Sequence, residues 1–254
     1  IPDLTAYIDT WNEQLEPVVR RIPERLPEMR TRVREGRLAV AGGTVCNPHS
    51  DRIGGESYVR NLVLGRRIFR RLLPGVDLSV LAFNDVIFGH AQTPQLARLA
   101  GYRSYRAYRP QHALNVKGIP TAFVWRGLDG SEILTSRGHY GILYHTGEIA
   151  QDPSAHWEEV VARFDGGGVL DQVGPDQPPV LCIGFGCDDA LPLRDIVDRP
   201  VALPEFMKEW NRRESSRMRF GTPQTYYREL EEHRTTLPMH AGVIDPIGWS
   251  YWFG

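Results

Sequence analysis

Two carboxylates in this chain close apolar runs. Asp85 follows Val80-Leu81-Ala82-Phe83-Asn84, and Asp188 follows Val180-Leu181-Cys182-Ile183-Gly184-Phe185-Gly186-Cys187. In parallel α/β folds the C-terminal ends of the strands form the active-site mouth, so both acids are expected to face one cavity and suit acid/base chemistry. Position alone leaves a structural alternative open, because an Asp after a strand can simply cap the next helix. A third candidate is His49-Ser50-Asp51, whose His-x-Asp spacing on an extended segment points both groups the same way, as a metal pair requires. His90 reads as packed on its helix. His112, His139, His145, His156, His233 and His240 are scattered without ligand spacing.

The elements that must carry these groups alternate. Residues 4 to 36 are polar and divided by Pro17, Pro23 and Pro27, which reads as short helical pieces. Arg37 to Gly43 is a short apolar strand ended by glycines, and a helix follows from about Glu56 to Leu73. Its apolar positions are Val59, Leu62, Val63, Phe69, Leu72 and Leu73, with Arg60, Arg66, Arg67, Arg70 and Arg71 as the solvated face. Leu78 to Phe83 reads as a buried strand, and Thr93-Pro94 opens a helix with a capping hydroxyl. Further strands are expected at 102–108, 121–125, 133–136 and 179–185, with helix starts at Asp152-Pro153 and Thr222-Pro223. This rhythm predicts an α/β fold with a largely parallel sheet and outer helices.

Composition narrows the partners. The chain has 254 residues, 30 Lys+Arg against 31 Asp+Glu and a formal net charge of −1, which leaves no cationic excess for nucleic acid. It has no apolar run long enough to cross a bilayer. Cys46, Cys182 and Cys187 are too few for a disulfide framework, so a reducing, cytoplasmic compartment is expected. The length suits one domain, 1–254, although the opening Ile1-Pro2 and the abrupt aromatic end at Phe253-Gly254 read as a piece of a longer chain.

Specific motifs surround Asp85. Gly42-Gly43, then Gly55-Glu56-Ser57-Tyr58-Val59-Arg60, then Asn84-Asp85-Val86-Ile87-Phe88-Gly89, then Thr93-Pro94-Gln95-Leu96 recur in an order and spacing that resemble the catalytic domain of glycoside hydrolase family 38, the α-mannosidases. The resemblance runs from about residue 30 to 135 and needs one residue of slack, because Val86-Ile87 stands where the family has one residue before Phe-Gly. It implies a seven-stranded β/α barrel, here incomplete, which retains anomeric configuration on a carbohydrate substrate and uses a zinc ion that binds sugar hydroxyls. Carried over by motif, Asp85 takes the roles of nucleophile and zinc ligand. Arg109, in Tyr105-Arg106-Ala107-Tyr108-Arg109-Pro110, is the arginine that keeps the nucleophile ionised. Tyr140, in competition with Tyr144, is the substrate-side tyrosine. Gly186-Cys187-Asp188 followed by Pro192 resembles the acid/base motif, which singles out Asp188, with Asp189 one residue away as its rival.

The departures are equally specific. The family takes two zinc ligands from a His-x-Asp on its first strand and another His from a His-Asp motif near the end. Neither stands at the expected place, so the chain reads as starting after that first strand and as supplying one of four zinc contacts. Catalytic zinc normally needs three protein ligands. Two other readings therefore stay open: a metal-dependent carbohydrate deacetylase using His49, Asp51 and Asp85, and a truncated, non-catalytic sugar-binding barrel.

Overall fold

A computed structural model of the chain describes residues 5–49, 53–83, 89–107, 118–137, 154–165, 179–183 and 203–244. The chain divides into two compact units, residues 1–137 with 221–254, and residues 138–220.

The larger unit begins with a strand. β1 (Ala6–Thr10) pairs parallel with β2 (Leu38–Thr44) in the register Ala6↔Leu38, Tyr7↔Ala39 and Ile8↔Val40. The reading of residues 4–36 as helical throughout misses β1, because five residues ending in Asp9-Thr10 carry little apolar signal. The prolines behave as expected: Pro17, Pro23 and Pro27 each sit in the first turn of a helical piece, including α1 (Glu16–Arg21) and α2 (Leu26–Arg34). There the missing N–H costs nothing. Leu26, Met29 and Val33 then lie on a small core of Leu15, Val40, Phe69, Leu73 and Leu78.

The helix α3 (Gly55–Leu72) forms where its periodicity places it, with a different buried face. Tyr58, Asn61, Leu62, Gly65, Arg66 and Phe69 are buried, whereas Val59 and Val63 remain 38% and 41% exposed. Arg66 is therefore no part of the solvated face. Its guanidinium lies 4.4 Å from the centroid of the Tyr102 ring and donates to the Leu78 carbonyl, and burial lowers its pKa.

β3 (Val80–Phe83), β4 (Ser104–Ala107), β5 (Ala122–Arg126), β6 (Glu132–Arg137) and β7 (Met239–Ala241) make the second sheet in the order β3-β4-β6-β5-β7. β3, β4 and β6 run parallel, while β5 is antiparallel to β6 and parallel to β7. The antiparallel pair follows from its short connection, Gly127 to Ser131, since parallel neighbours need a long crossover. Hydrogen bonds thus join the described strands into one sheet of two and one of five, not into a closed ring. Leu62, Leu81, Phe83, Tyr105, Phe123 and Trp125 form the main core, and the Trp125 indole donates to the Gly242 carbonyl at 2.7 Å. Exposed Arg126 pairs with Glu132.

α4 (Thr93–Ala100) starts at Thr93, whose hydroxyl does not cap it. It accepts from the buried Tyr58 hydroxyl at 3.2 Å, while exposed His90 supplies Nδ1 to the Gln92 N–H. In the smaller unit, α5 (Trp157–Asp165) and α6 (Leu203–Arg213) bring Trp157, Phe206 and Trp210 together at centroid distances of 5.7 to 6.0 Å. Back in the larger unit, α7 (Pro223–Glu231) is capped as its Thr-Pro start predicts, with Thr222 Oγ1 accepting the Thr225 N–H. Its Gln224 amide donates to the carbonyls of Val40 and Asp77 at 2.6 and 3.1 Å, joining β2 to the turn before β3. No helix among the described residues is long and apolar enough to cross a membrane.

Candidate active site

The parallel strands deliver their last residues in order. β1 ends at Asp9-Thr10, and β2 ends at Thr44 and continues into Val45-Cys46-Asn47. The glycine pair lets these two ends approach: Gly42 adopts φ +118°, and a Cβ there would lie 2.8 Å from the Asp9 carbonyl oxygen. Buried Asn61 on α3 then fixes the segment after β2, its Oδ1 accepting from the N–H groups of Val45 and Cys46 and its amide donating to the Cys46 carbonyl. One side chain so satisfies three backbone groups that the strand leaves unpaired.

Asp9 is the buried carboxyl of this edge, 6% exposed. Desolvation raises its pKa, a hydrogen bond from the Asn47 side chain opposes that, the nearby Glu13 charge adds to it, and hydrogen bonds from Thr10 oppose it again. Its Oδ1 has no hydrogen-bond partner. Tyr7 stands two residues earlier on β1. The Tyr7 hydroxyl accepts from Arg106 Nη1 at 2.8 Å, and that guanidinium lies 5.6 Å from the Tyr7 ring centroid. Arg106 comes from β4, is 2% exposed, and stands 99 residues away in sequence.

Three of the expected site residues, one catalytic and two substrate-binding, come shortly after strands of the larger sheet. Asp85 comes two residues after Phe83 of β3, Arg109 two after Ala107 of β4, and Tyr140 three after Arg137 of β6. Because those three strands are parallel, the chain leaves the five-stranded sheet by one edge before each of them. Asp85, Arg109 and Tyr140 themselves lie outside the described residues, as do Asp51, Tyr144, Asp188 and Asp189. Half-buried His49 sits in the segment after β2. The sequence reading missed Tyr7, Asp9 and Arg106. The Tyr7-Ile8-Asp9 alternation was the available signal for the first two. Nothing marked Arg106 in its aromatic run as an inward-facing group.

The comparisons with known proteins agree with this architecture. The family model for the glycosyl hydrolases family 38 N-terminal domain matches residues 5–243. The chain belongs to glycoside hydrolase family 38. Alpha-mannosidase G of Dictyostelium discoideum is 24% identical over 226 residues, covering 87% of this chain and 19% of that protein. An alpha-mannosidase of Saccharomyces cerevisiae is 25% identical over 149 residues, covering 54% of this chain and 14% of that protein. The chain thus spans about a fifth or less of the curated relatives it matches. The crystal structure of an alpha-mannosidase from Enterococcus faecalis superposes with a TM-score of 0.70 at 19% identity, over 95% of this chain and 26% of that one. A 4-alpha-glucanotransferase from Thermococcus litoralis shares the fold more distantly, with a TM-score of 0.59 at 10% identity over 89% of this chain and 34% of that one.

Membership brings the expectation of a metal-dependent glycosidase, and the first strand bears on it. β1 stands ahead of the glycine pair and carries Tyr7-Ile8-Asp9 where the resemblance implied His-x-Asp. The buried Asp9 carboxyl suits a cation, but Tyr7 offers a phenol already bound to a guanidinium where the family offers an imidazole. Among the described residues no three His, Cys, Asp or Glu side chains cluster as a metal shell. These groups do not amount to the three-ligand set that catalytic zinc needs.

Proposed function

We propose that this chain is the catalytic part of a retaining glycoside hydrolase that cleaves α-mannosides by double displacement. The observation that carries the reading is the family match across residues 5–243, coupled with a buried strand that ends two residues before Asp85. In the first step a carboxylate oxygen of Asp85 attacks the anomeric carbon, the glycosidic bond breaks, and Asp188 gives its proton to the leaving oxygen. In the second, Asp188 takes a proton from water, the hydroxide oxygen bonds to the anomeric carbon, and the ester bond to Asp85 breaks. Arg109 holds Asp85 ionised and Tyr140 contacts the sugar.

We read the two sheets as parts of one seven-stranded β/α barrel. Two observations support this: β2 lies alongside β3, and Arg106 of the larger sheet reaches Tyr7 of the smaller. A cytoplasmic location is proposed from the low cysteine content.

The test is Asp85→Asn in the intact protein, assayed on an aryl α-mannoside. Turnover is expected to fall by about 10⁶-fold, the scale seen when a catalytic nucleophile is removed. Proton NMR of the first-formed product of the unaltered enzyme is expected to show the α-anomer. Undiminished turnover of the variant overturns the nucleophile, and a β-anomer overturns the double displacement.

A further inference from the structure

We propose that the Tyr7–Arg106 pair closes the position where family 38 is expected to hold zinc, so that this chain acts without a divalent metal at the end of β1. The fixed positive charge there is the guanidinium itself. The inference deepens the glycosidase reading and rests on it for one of its two tests.

Arg106 is aimed by the sheet. β4 keeps an unbroken parallel register with β3 and β6, so its successive side chains alternate between the two faces. Tyr105 and Ala107 lie in the main core with Tyr58 and Leu62 of α3 and Ala97 of α4, which leaves Arg106, between them, on the opposite face. From there it crosses to the smaller sheet, where Nη1 donates to the Tyr7 hydroxyl at 2.8 Å and the guanidinium lies 5.6 Å from the ring centroid. At 2% exposure the group has almost no access to water. A guanidinium does not shed its proton in a protein, so this buried cation is permanent.

A metal at Tyr7 would meet that cation. Zinc binds oxygen at about 2.1 Å, so with the 2.8 Å hydrogen bond a zinc ion on the Tyr7 oxygen lies within about 5 Å of Arg106 Nη1. A divalent and a monovalent cation at that distance repel strongly where water is excluded to screen them. The phenol oxygen also turns toward the guanidinium a lone pair of the kind that a neutral imidazole turns toward a metal. Asp9, two residues on, is 6% exposed and receives hydrogen bonds from the Asn47 side chain and from Thr10. It is the one carboxylate of β1, well short of the three protein ligands of a catalytic zinc.

The first test reads metal and needs no turnover. The intact chain, dialysed against EDTA and titrated calorimetrically with zinc chloride, is expected to show no site with a Kd below about 0.1 mM. Y7H/R106L, which puts an imidazole on β1 and removes the cation, is expected to bind zinc at least about tenfold more tightly, and Y7H alone, which keeps the guanidinium, to gain less. Melting temperatures verify that the variants fold, and Y7H/R106Q makes the same comparison if leucine prevents folding. A zinc site in the unaltered chain tighter than this that Asp9→Asn removes overturns the proposal, as does a double variant that binds zinc no better than the unaltered chain. In the second test, turnover of the aryl α-mannoside is expected to be unchanged by EDTA; a loss that added zinc restores overturns the proposal. A chain that turns over no α-mannoside refutes the glycosidase reading, and the zinc titration then decides this inference by itself.

Discussion

Gly65 of α3 is the point at which helix and sheet come closest beneath the candidate active site. A Cβ built there lies 2.4 Å from the Gly43 carbonyl oxygen and from Thr44 Cα, and 2.5 Å from the Thr44 carbonyl carbon. Comfortable carbon contacts lie at about 3.5–4.0 Å, so Gly65→Ala requires a separation of roughly 1 Å that no side-chain rotation can supply, the obstacle being backbone. Two effects compete. Alanine in a helix interior gains about 1 kcal/mol over glycine. Overpacking costs about 1–3 kcal/mol, and a rigid strand neighbour puts this site at the upper end. The net expectation is a loss of about 2 kcal/mol, which for a chain of this size lowers the melting temperature by roughly 4–8 °C. The displacement also moves Asn61, one turn earlier, and with it the Val45-Cys46 segment beside Asp9. Calorimetric melting of Gly65→Ala against the unaltered protein measures the first effect, and turnover of the aryl α-mannoside measures the second. A melting temperature that is unchanged or raised refutes the close-packing argument, because propensity alone then decides.

Two further expectations concern stability. Burial raises the pKa of Asp9, so between the ordinary carboxylate value and that raised value the folded chain keeps a proton the unfolded chain has lost. Stability therefore falls as pH rises through this window. Asp9→Asn removes the loss and is expected to melt above the unaltered protein at pH 7, with the gap closing toward pH 4; a gap that does not vary with pH sinks the desolvation account. Gln224→Ala strips the donor from the Val40 and Asp77 carbonyls and is expected to cost about 2 kcal/mol, seen as a lower melting temperature. No change in melting would mean that the amide does not hold β2 to the turn before β3.

Local chemistry was legible in the residues alone. An apolar run closed by glycines became β2, periodic apolar spacing became α3, and short aromatic or β-branched runs became β3 to β6. The motif order around Asp85 points to the family that the match over residues 5–243 shows. The phase of α3 was not legible. Val59 and Val63 face outward while Asn61 and Arg66 are buried, because burying a polar group depends on partners elsewhere in the chain, here Cys46, Leu78 and Tyr102. Thr93 likewise has the composition of a cap and spends its hydroxyl on Tyr58, 35 residues away.

What the sequence determined by itself was therefore period, punctuation and family, all of which depend on neighbours within a few residues. Only the tertiary structure decided that β1 precedes the glycine pair, that Asp9 is the buried carboxyl at its end, and that Arg106 reaches Tyr7 across 99 residues. Those outcomes depend on desolvation and on the donors that the folded chain brings close, and no local pattern encodes either.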